Sequence, residues 1–273
     1  MTQIAAEPAP EPMVEIIDLR KVYGDFEAVK GLDLRVMPGE VFGFLGPNGA
    51  GKTTSLRMIT GLLKPSSGIV RICGRSMIDD PVAAKSLIGF IPDRPYIYEK
   101  LTAVEFLRFV GGLHAMERKR CARRIEELLS LFDLTRWGGS LIENFSHGMK
   151  QRLVMAAALL PGPRLLVVDE PMVGLDPQGA RLIKQIFRQV CSDAGMTVFL
   201  STHSLDTAEE LCDRIAIMHH GEMVSLGTLA ELRQRVGQPG SRLEEIFLQI
   251  TSEEKAEEDS AMIRGITHEA EGA

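Results

Sequence analysis

The chain has no apolar run long enough to cross a bilayer. Its longest, Leu153 to Leu160, stops at Pro161, far short of the roughly 20 residues that a membrane helix needs. The opening "MTQIAAEPAPEPM" has no basic stretch leading into an apolar core, which excludes a secretory signal. The four cysteines, Cys73, Cys121, Cys191 and Cys212, form no CxxC pair and no His-paired metal spacing. A reduced set of small apolar side chains is expected, not a disulfide framework or a zinc site. There is no internal repeat. An excess of positive charge is missing too. The net charge is −6, with net −5 between Thr251 and Ala273 and −2 between Met1 and Met13, so Val14 to Ile250 nets only +1. That balance gives no support for a nucleic-acid surface.

What is present is a regular alternation of elements. Residues 1–13 are rich in Ala, Glu and Pro and are expected to be disordered, as is the acidic stretch 251–273. "VEIIDLRKVY" and "AVKGLDLRVMPGE" read as strands, the second ending in a Pro-Gly turn. "VFGFLG" is a short buried strand stopping at Gly46, and helical spacing follows in "TTSLRMITGLL". "IVRICG" returns to strand. "LTAVEFLRFVGGLHAM" opens with a Thr102-x-x-Glu105 capping box. "ERKRCARRIEELLSLFDL" places Ile125, Leu128, Leu129 and Phe132 on one helical face. "KQRLVMAAALLPGP" is a third helix. Then come the strand "LLVVDE", a helix near 178–194, the strand "TVFLST", the helix "SLDTAEELCD" and the hairpin "RIAIMHHGEMVSLG". This order predicts one α/β domain over 14–250 with a helical insertion around 95–160.

Two segments carry phosphate chemistry. "GPNGAGKTT" (Gly46, Pro47, Asn48, Gly49, Ala50, Gly51, Lys52, Thr53, Thr54) matches G-x-x-x-x-G-K-[ST] between a predicted strand and a predicted helix. Its glycines let backbone N–H groups face an anion, and the helix N-terminus adds its dipole. Lys52 is placed to reach the β- and γ-phosphates, and the Thr53 hydroxyl to bind Mg²⁺. "LLVVDE" ends in two carboxylates. Asp169 is expected in the Mg²⁺ shell and Glu170 as the general base that activates water. A GTPase would carry an N-K-x-D element, which is absent, and a small-molecule kinase would not need the helical insertion.

With these residues collected, the chain resembles the ATP-binding cassette (ABC) family, specifically the nucleotide-binding subunits of its transporters, over about residues 14–250. "FSHGMKQRL" stands in the place of the family's L-S-G-G-Q signature, "VGLDP" (Val173–Pro177) resembles its D-loop, and "STHSLDTAEELCDRIAIMHHG" its switch-histidine segment. The resemblance implies a P-loop NTPase (RecA-like) core, an N-terminal antiparallel β subdomain and an inserted α-helical subdomain. It implies an ATPase using ATP and Mg²⁺. Tyr23 would stack on adenine and His203 would hydrogen-bond the γ-phosphate. Asp176 would lie at a dimer interface. Ser146 and Gly148 would complete the ATP site of a partner cassette, a homodimer being the simplest arrangement.

The resemblance also implies a separate membrane permease, met through the region Asp93–Lys100, with Tyr96 and Tyr98 as contacts. The chain would then sit peripherally at the cytoplasmic face of the membrane. The short "YEKLT" loop and the K-Q-R signature resemble the ABC-2 type, mostly exporters. A soluble relative acting on nucleic acid or the ribosome is the alternative; those proteins usually carry tandem cassettes, coiled coils or zinc modules. Three positions depart from the family pattern: Asp93 replaces a Gln, His147 a Gly and Met149 a Gln. Asp93 is expected to keep the Mg²⁺-linked role of that position while adding negative charge near the phosphates; His147 and Met149 would spare the phosphate contacts but alter the fit around the ribose.

Overall fold

The computed structural model describes residues 11–93, 96–173, 175–237 and 240–251. The two predicted disordered ends therefore fall almost wholly outside the described residues, as do Arg94, Pro95 and, in the D-loop, Gly174. Among the described residues no helix is long and apolar enough to cross a membrane.

The chain runs β1 (Val14–Tyr23), β2 (Phe26–Val36), β3 (Val41–Leu45), α1 (Lys52–Ile59), β4 (Ser67–Ile72), β5 (Arg75–Ser76), α2 (Pro81–Ser86) and β6 (Ile88–Ile91). Then follow α3 (Ala103–Leu113), α4 (Arg118–Leu131), two 3₁₀ turns, α5 (His147–Leu159), β7 (Leu165–Asp169), α6 (Pro177–Ala194), β8 (Thr197–Thr202), α7 (Leu205–Leu211), β9 (Arg214–His219), β10 (Glu222–Gly227) and α8 (Leu229–Arg235). Residues 243–251 form a further helix.

Two sheets result. One is antiparallel, ordered β2-β1-β4-β5; the other has six strands ordered β10-β9-β3-β8-β7-β6, parallel from β9 to β6. The central strands β3, β7 and β8 are buried at every residue, because a parallel sheet is covered on both faces. Their side chains alternate between two cores. Phe42, Phe44, Leu165, Val167 and Phe199 pack toward α1 and the antiparallel sheet. Val41, Leu166, Val168, Val198 and Leu200 pack toward α3, α4, α5 and α6. Each large side chain buried this way is worth about 1.5–3 kcal/mol, so the carboxyl ends of β3, β7 and β8 are held rigidly side by side.

The helices α3, α4 and α5 pack on one another. The Thr102–Glu105 capping box is formed, and Ile125, Leu128, Leu129 and Phe132 are buried on the expected face. Helix α5 starts at His147, capped by Ser146, three residues ahead of the segment "KQRLVMAAALLPGP" read as helix from the sequence. Helix α2, strands β5 and β6, helix α8 and the helix 243–251 were not read from the sequence, although the Asp80-Pro81 start of α2 and the Thr228-x-x-Glu231 capping box of α8 were available signals. Helix α2 spans six residues, too short to display a helical period.

Candidate active site

The phosphate loop joins β3 to α1 at the carboxyl end of the parallel sheet, where α/β folds take their ligands. Gly51 shows why the loop needs glycine: its φ is 99°, and a Cβ there would lie 2.6 Å from the Ala28 carbonyl oxygen. Gly51 is also the N-cap of α1 and supplies no side-chain cap, so the first-turn N–H groups are open to an anion. The loop is braced from below. Gly221, in the β9–β10 turn, donates its N–H to the Ala50 carbonyl at 3.2 Å, and its own carbonyl accepts the Lys30 N–H at 2.9 Å.

The loop opens into a cleft of about 390 Å³ lined by Tyr23, Phe26, Ala28, Asn48, Gly49, Gly51, Lys52, Thr53, Thr54, Asp93, Asp169 and Glu170. Lys52 is folded back on the loop, its Nζ donating to the Gly46 and Pro47 carbonyls at 2.7 and 3.0 Å. Burial pulls its ammonium below the ordinary lysine value, while Glu170 and then Asp169 act the other way. The Thr53 hydroxyl donates to Asp169 Oδ2 at 3.2 Å. Hydroxyl and carboxylate oxygens here are the hard donors that Mg²⁺ prefers, and with no dedicated protein cage such a site shares its ion with substrate phosphates. Among the described residues no three His, Cys, Asp or Glu groups converge on a metal position.

Glu170 is the most constrained side chain of the site. Its φ is 50°, a left-handed value uncommon outside glycine. Its Oε1 accepts the His203 N–H at 2.9 Å and faces His203 Nδ1 at 2.8 Å, and its Oε2 accepts the Thr202 hydroxyl at 3.1 Å. His203 therefore engages the carboxylate and is not part of the cleft lining. Asp176 caps α6 by accepting the Gly179 N–H at 2.7 Å. Ser146 accepts the Met149 N–H at 3.3 Å. Asp176, Ser146 and Gly148 stand outside the chain's own cleft.

Phe26, Ala28 and Thr202 had not been singled out from sequence. Phe26 is the register partner of Tyr23 across the β1–β2 turn and adds a second aromatic wall to the cleft. Two aromatics flanking the Gly24-Asp25 turn were the available signal.

Burial raises the Asp169 carboxyl above its ordinary range; the Ser201 and Thr53 hydroxyls pull it down, and Glu170 and Asp93 push it up again. A folded value above the unfolded one means that the folded state holds its proton longer. The ionised group thus counts against the empty fold, increasingly as pH rises through the acid range, and fully at neutral pH. Asp169→Asn is therefore expected to raise the melting temperature of the nucleotide-free protein at neutral pH. It should lose most of the extra stabilisation that Mg²⁺ adds with ATP. Scanning calorimetry with and without Mg²⁺ and ATP checks both signs.

A phosphate-cradling loop, a strand-end Asp–Glu pair and an adjacent aromatic wall define a P-loop nucleoside triphosphatase. The family profile described as ABC transporter matches residues 29–173. The linearmycin resistance ATP-binding protein LnrL of Bacillus subtilis (strain 168) is 40% identical over 225 residues, 82% of this chain and 72% of that protein. The Nod factor export ATP-binding protein I of Cupriavidus metallidurans is 37% identical over 220 residues, 81% of this chain and 72% of that protein. The dimeric post-hydrolysis structure of the ATP-binding cassette MJ0796 bound to ADP and Pi superposes with a TM-score of 0.73 at 28% identity, covering 80% of this chain and 99% of that one. The chain belongs to the ABC transporter family. It is an ATP-binding, ATP-hydrolysing transporter subunit of the kind that works as a dimer with a membrane permease. The alternative, a soluble relative acting on nucleic acid or the ribosome, finds no support among these relatives.

Proposed function

We propose that two copies of this chain close head to tail around two ATP molecules to drive export through a separate membrane protein, from the cytoplasmic face. The observation that carries this reading is the incompleteness of the cleft. None of its lining comes from α5, yet α5 opens with a serine cap and a glycine that its own fold does not require. A Cβ at Gly148 would meet only Leu175 Cδ2, at an ordinary 3.8 Å. A backbone left bare at a helix N-terminus suits the approach of a phosphate held by another chain. Two-fold symmetry then makes both sites alike.

In this reading Lys52 unfolds from the Gly46 and Pro47 carbonyls onto the β- and γ-phosphates. Tyr23 and Phe26 hold the base by stacking. Thr53, Asp169 and Asp93 would hold Mg²⁺, which offsets phosphate charge when bound. Glu170 takes the proton of the attacking water, and His203 keeps that carboxylate aimed and orients the γ-phosphate. Asp176 couples the two sites. The names of the relatives, resistance and Nod factor export among them, favour outward transport.

The segment that follows Asp93 is tied to α5. Glu99 pairs with Lys150 at 2.5 Å, its carbonyl accepts the Glu143 N–H at 3.0 Å, and Lys100 pairs with Glu143 at 2.5 Å. A permease resting on Tyr96, which is 95% exposed, and Tyr98 would thus be linked mechanically to the helix that completes the partner's site. Tagged chain purified from solubilised membranes is expected to retain a multi-span membrane protein. Tyr96→Ala/Tyr98→Ala should release it without altering ATP binding. Equal retention by the double variant would remove this segment from the contact, and purification of the chain alone from membranes would count against the transport complex itself.

A further inference from the structure

The connection between α3 and α4 carries a feature that ATP chemistry does not use. Residues 108–124 hold six cationic side chains against the single carboxylate Glu117, in a chain whose net charge is −6. Three of the six, Arg118, Lys119 and Arg120, occupy the first turn of α4. Cations are unfavourable there, because the helix N-terminus is itself positive. Glu117 offsets part of this by accepting the Lys119 and Arg120 N–H groups, both at 3.2 Å. Arg123 and Arg124 pair with Glu127 at 3.6 and 3.1 Å. The side chains of Arg118, Lys119 and Arg120 are exposed and make no hydrogen bond or ion pair among the described residues. Helix stability does not explain them.

Beside this cluster lies an apolar stripe. Phe109 and Leu113, one helical turn apart on α3, are 43% and 70% exposed. Tyr98 meets the Phe109 ring edge-on at 5.3 Å between centroids. Arg108, Gly111 and Gly112 of α3 share the lining of one surface cavity with Met116 and Arg118, and Phe109 and Leu113 stand on the same turns of α3. An exposed apolar strip rimmed by unpaired cations has the composition of a surface that lies on anionic lipid. The long arginine and lysine stems can rest on the apolar layer while their charges meet headgroups.

We infer that the α3–α4 tip docks on an anionic phospholipid surface. Charge complementarity carries the choice: the tip is strongly positive although the chain as a whole is acidic, and Leu113 and Phe109, the latter edge-on to Tyr98, remain exposed beside it. The inference rests on the reading that the chain works at a membrane. Its test needs neither permease nor nucleotide, so the two can fail separately.

The purified full chain, free of nucleotide, is sedimented with vesicles of phosphatidylcholine, alone or mixed with phosphatidylglycerol, at low and at high salt. Binding is expected only to the mixed vesicles and is expected to weaken with salt. Arg118→Gln/Lys119→Gln/Arg120→Gln should bind about a hundredfold more weakly, at ~1 kcal/mol per basic residue. Phe109→Ser/Leu113→Ser should lose about tenfold or more. Both variants should keep wild-type basal ATPase, which shows that they are folded. Equal binding to neutral and anionic vesicles, no binding to either, or an unweakened glutamine variant would overturn the inference. So would tight binding to duplex DNA that ignores the Phe109/Leu113 change, which would mark the tip as a nucleic-acid surface.

Discussion

Glu170→Gln is expected to lower steady-state ATP turnover by about 10²–10⁴-fold, the usual contribution of a positioned general base, while leaving nucleotide bound. The substitution keeps the size of the side chain and an oxygen that can accept the His203 N–H or the Thr202 hydroxyl. The residue sits at φ 50° with both carboxylate oxygens engaged, so its position is set by the backbone and its neighbours and should survive the exchange. What is lost is the capacity to take a proton. Rapid-quench analysis should find the retained nucleotide as ATP. Turnover at the wild-type rate would move the base elsewhere.

Lys52→Ala is expected to weaken ATP binding by about 10–100-fold, the scale of a charge-assisted hydrogen bond of 1.5–3 kcal/mol. The empty structure explains why its stability should change little. The Lys52 ammonium is already drawn down by burial, so removing it relieves a desolvation cost while forfeiting two bonds to the Gly46 and Pro47 carbonyls. Titration with a fluorescent ATP analogue reads the affinity, and thermal melting reads the fold. An unchanged dissociation constant would deny Lys52 its phosphate.

The parts of the fold that sequence made legible were those governed by local rules. Strands β3 and β7 read as short, largely apolar runs because both faces are covered, and α3 showed its capping box and α4 its apolar face. Helix α2 and strand β5 were not legible. One is six residues long and the other two, too short for a periodic pattern to show. The same division runs through the site. The loop Gly46–Thr54 and the pair Asp169–Glu170 are contiguous motifs whose chemistry follows from residue order. Phe26 joins the cleft only through its pairing with Tyr23 across a turn, and Thr202 only because β8 ends beside β7. His203 was expected on a phosphate, yet in the nucleotide-free chain its nearest partner is the base itself, a contact that depends on sheet register and not on spacing. Ser146 and Gly148 lie outside the cleft, and the roles proposed for them require a second chain.

That second chain is the central claim, and one measurement tests it most directly. Sedimentation equilibrium of Glu170→Gln with Mg²⁺ and ATP should give the mass of two chains, and of one chain when ATP is withheld. Adding Gly148→Asp should return the ATP-loaded protein to the mass of one chain, because the carboxylate would face the partner's γ-phosphate. A variant that binds ATP yet stays at the mass of one chain, or a dimer that tolerates Gly148→Asp, would contradict a site completed by α5 of a partner.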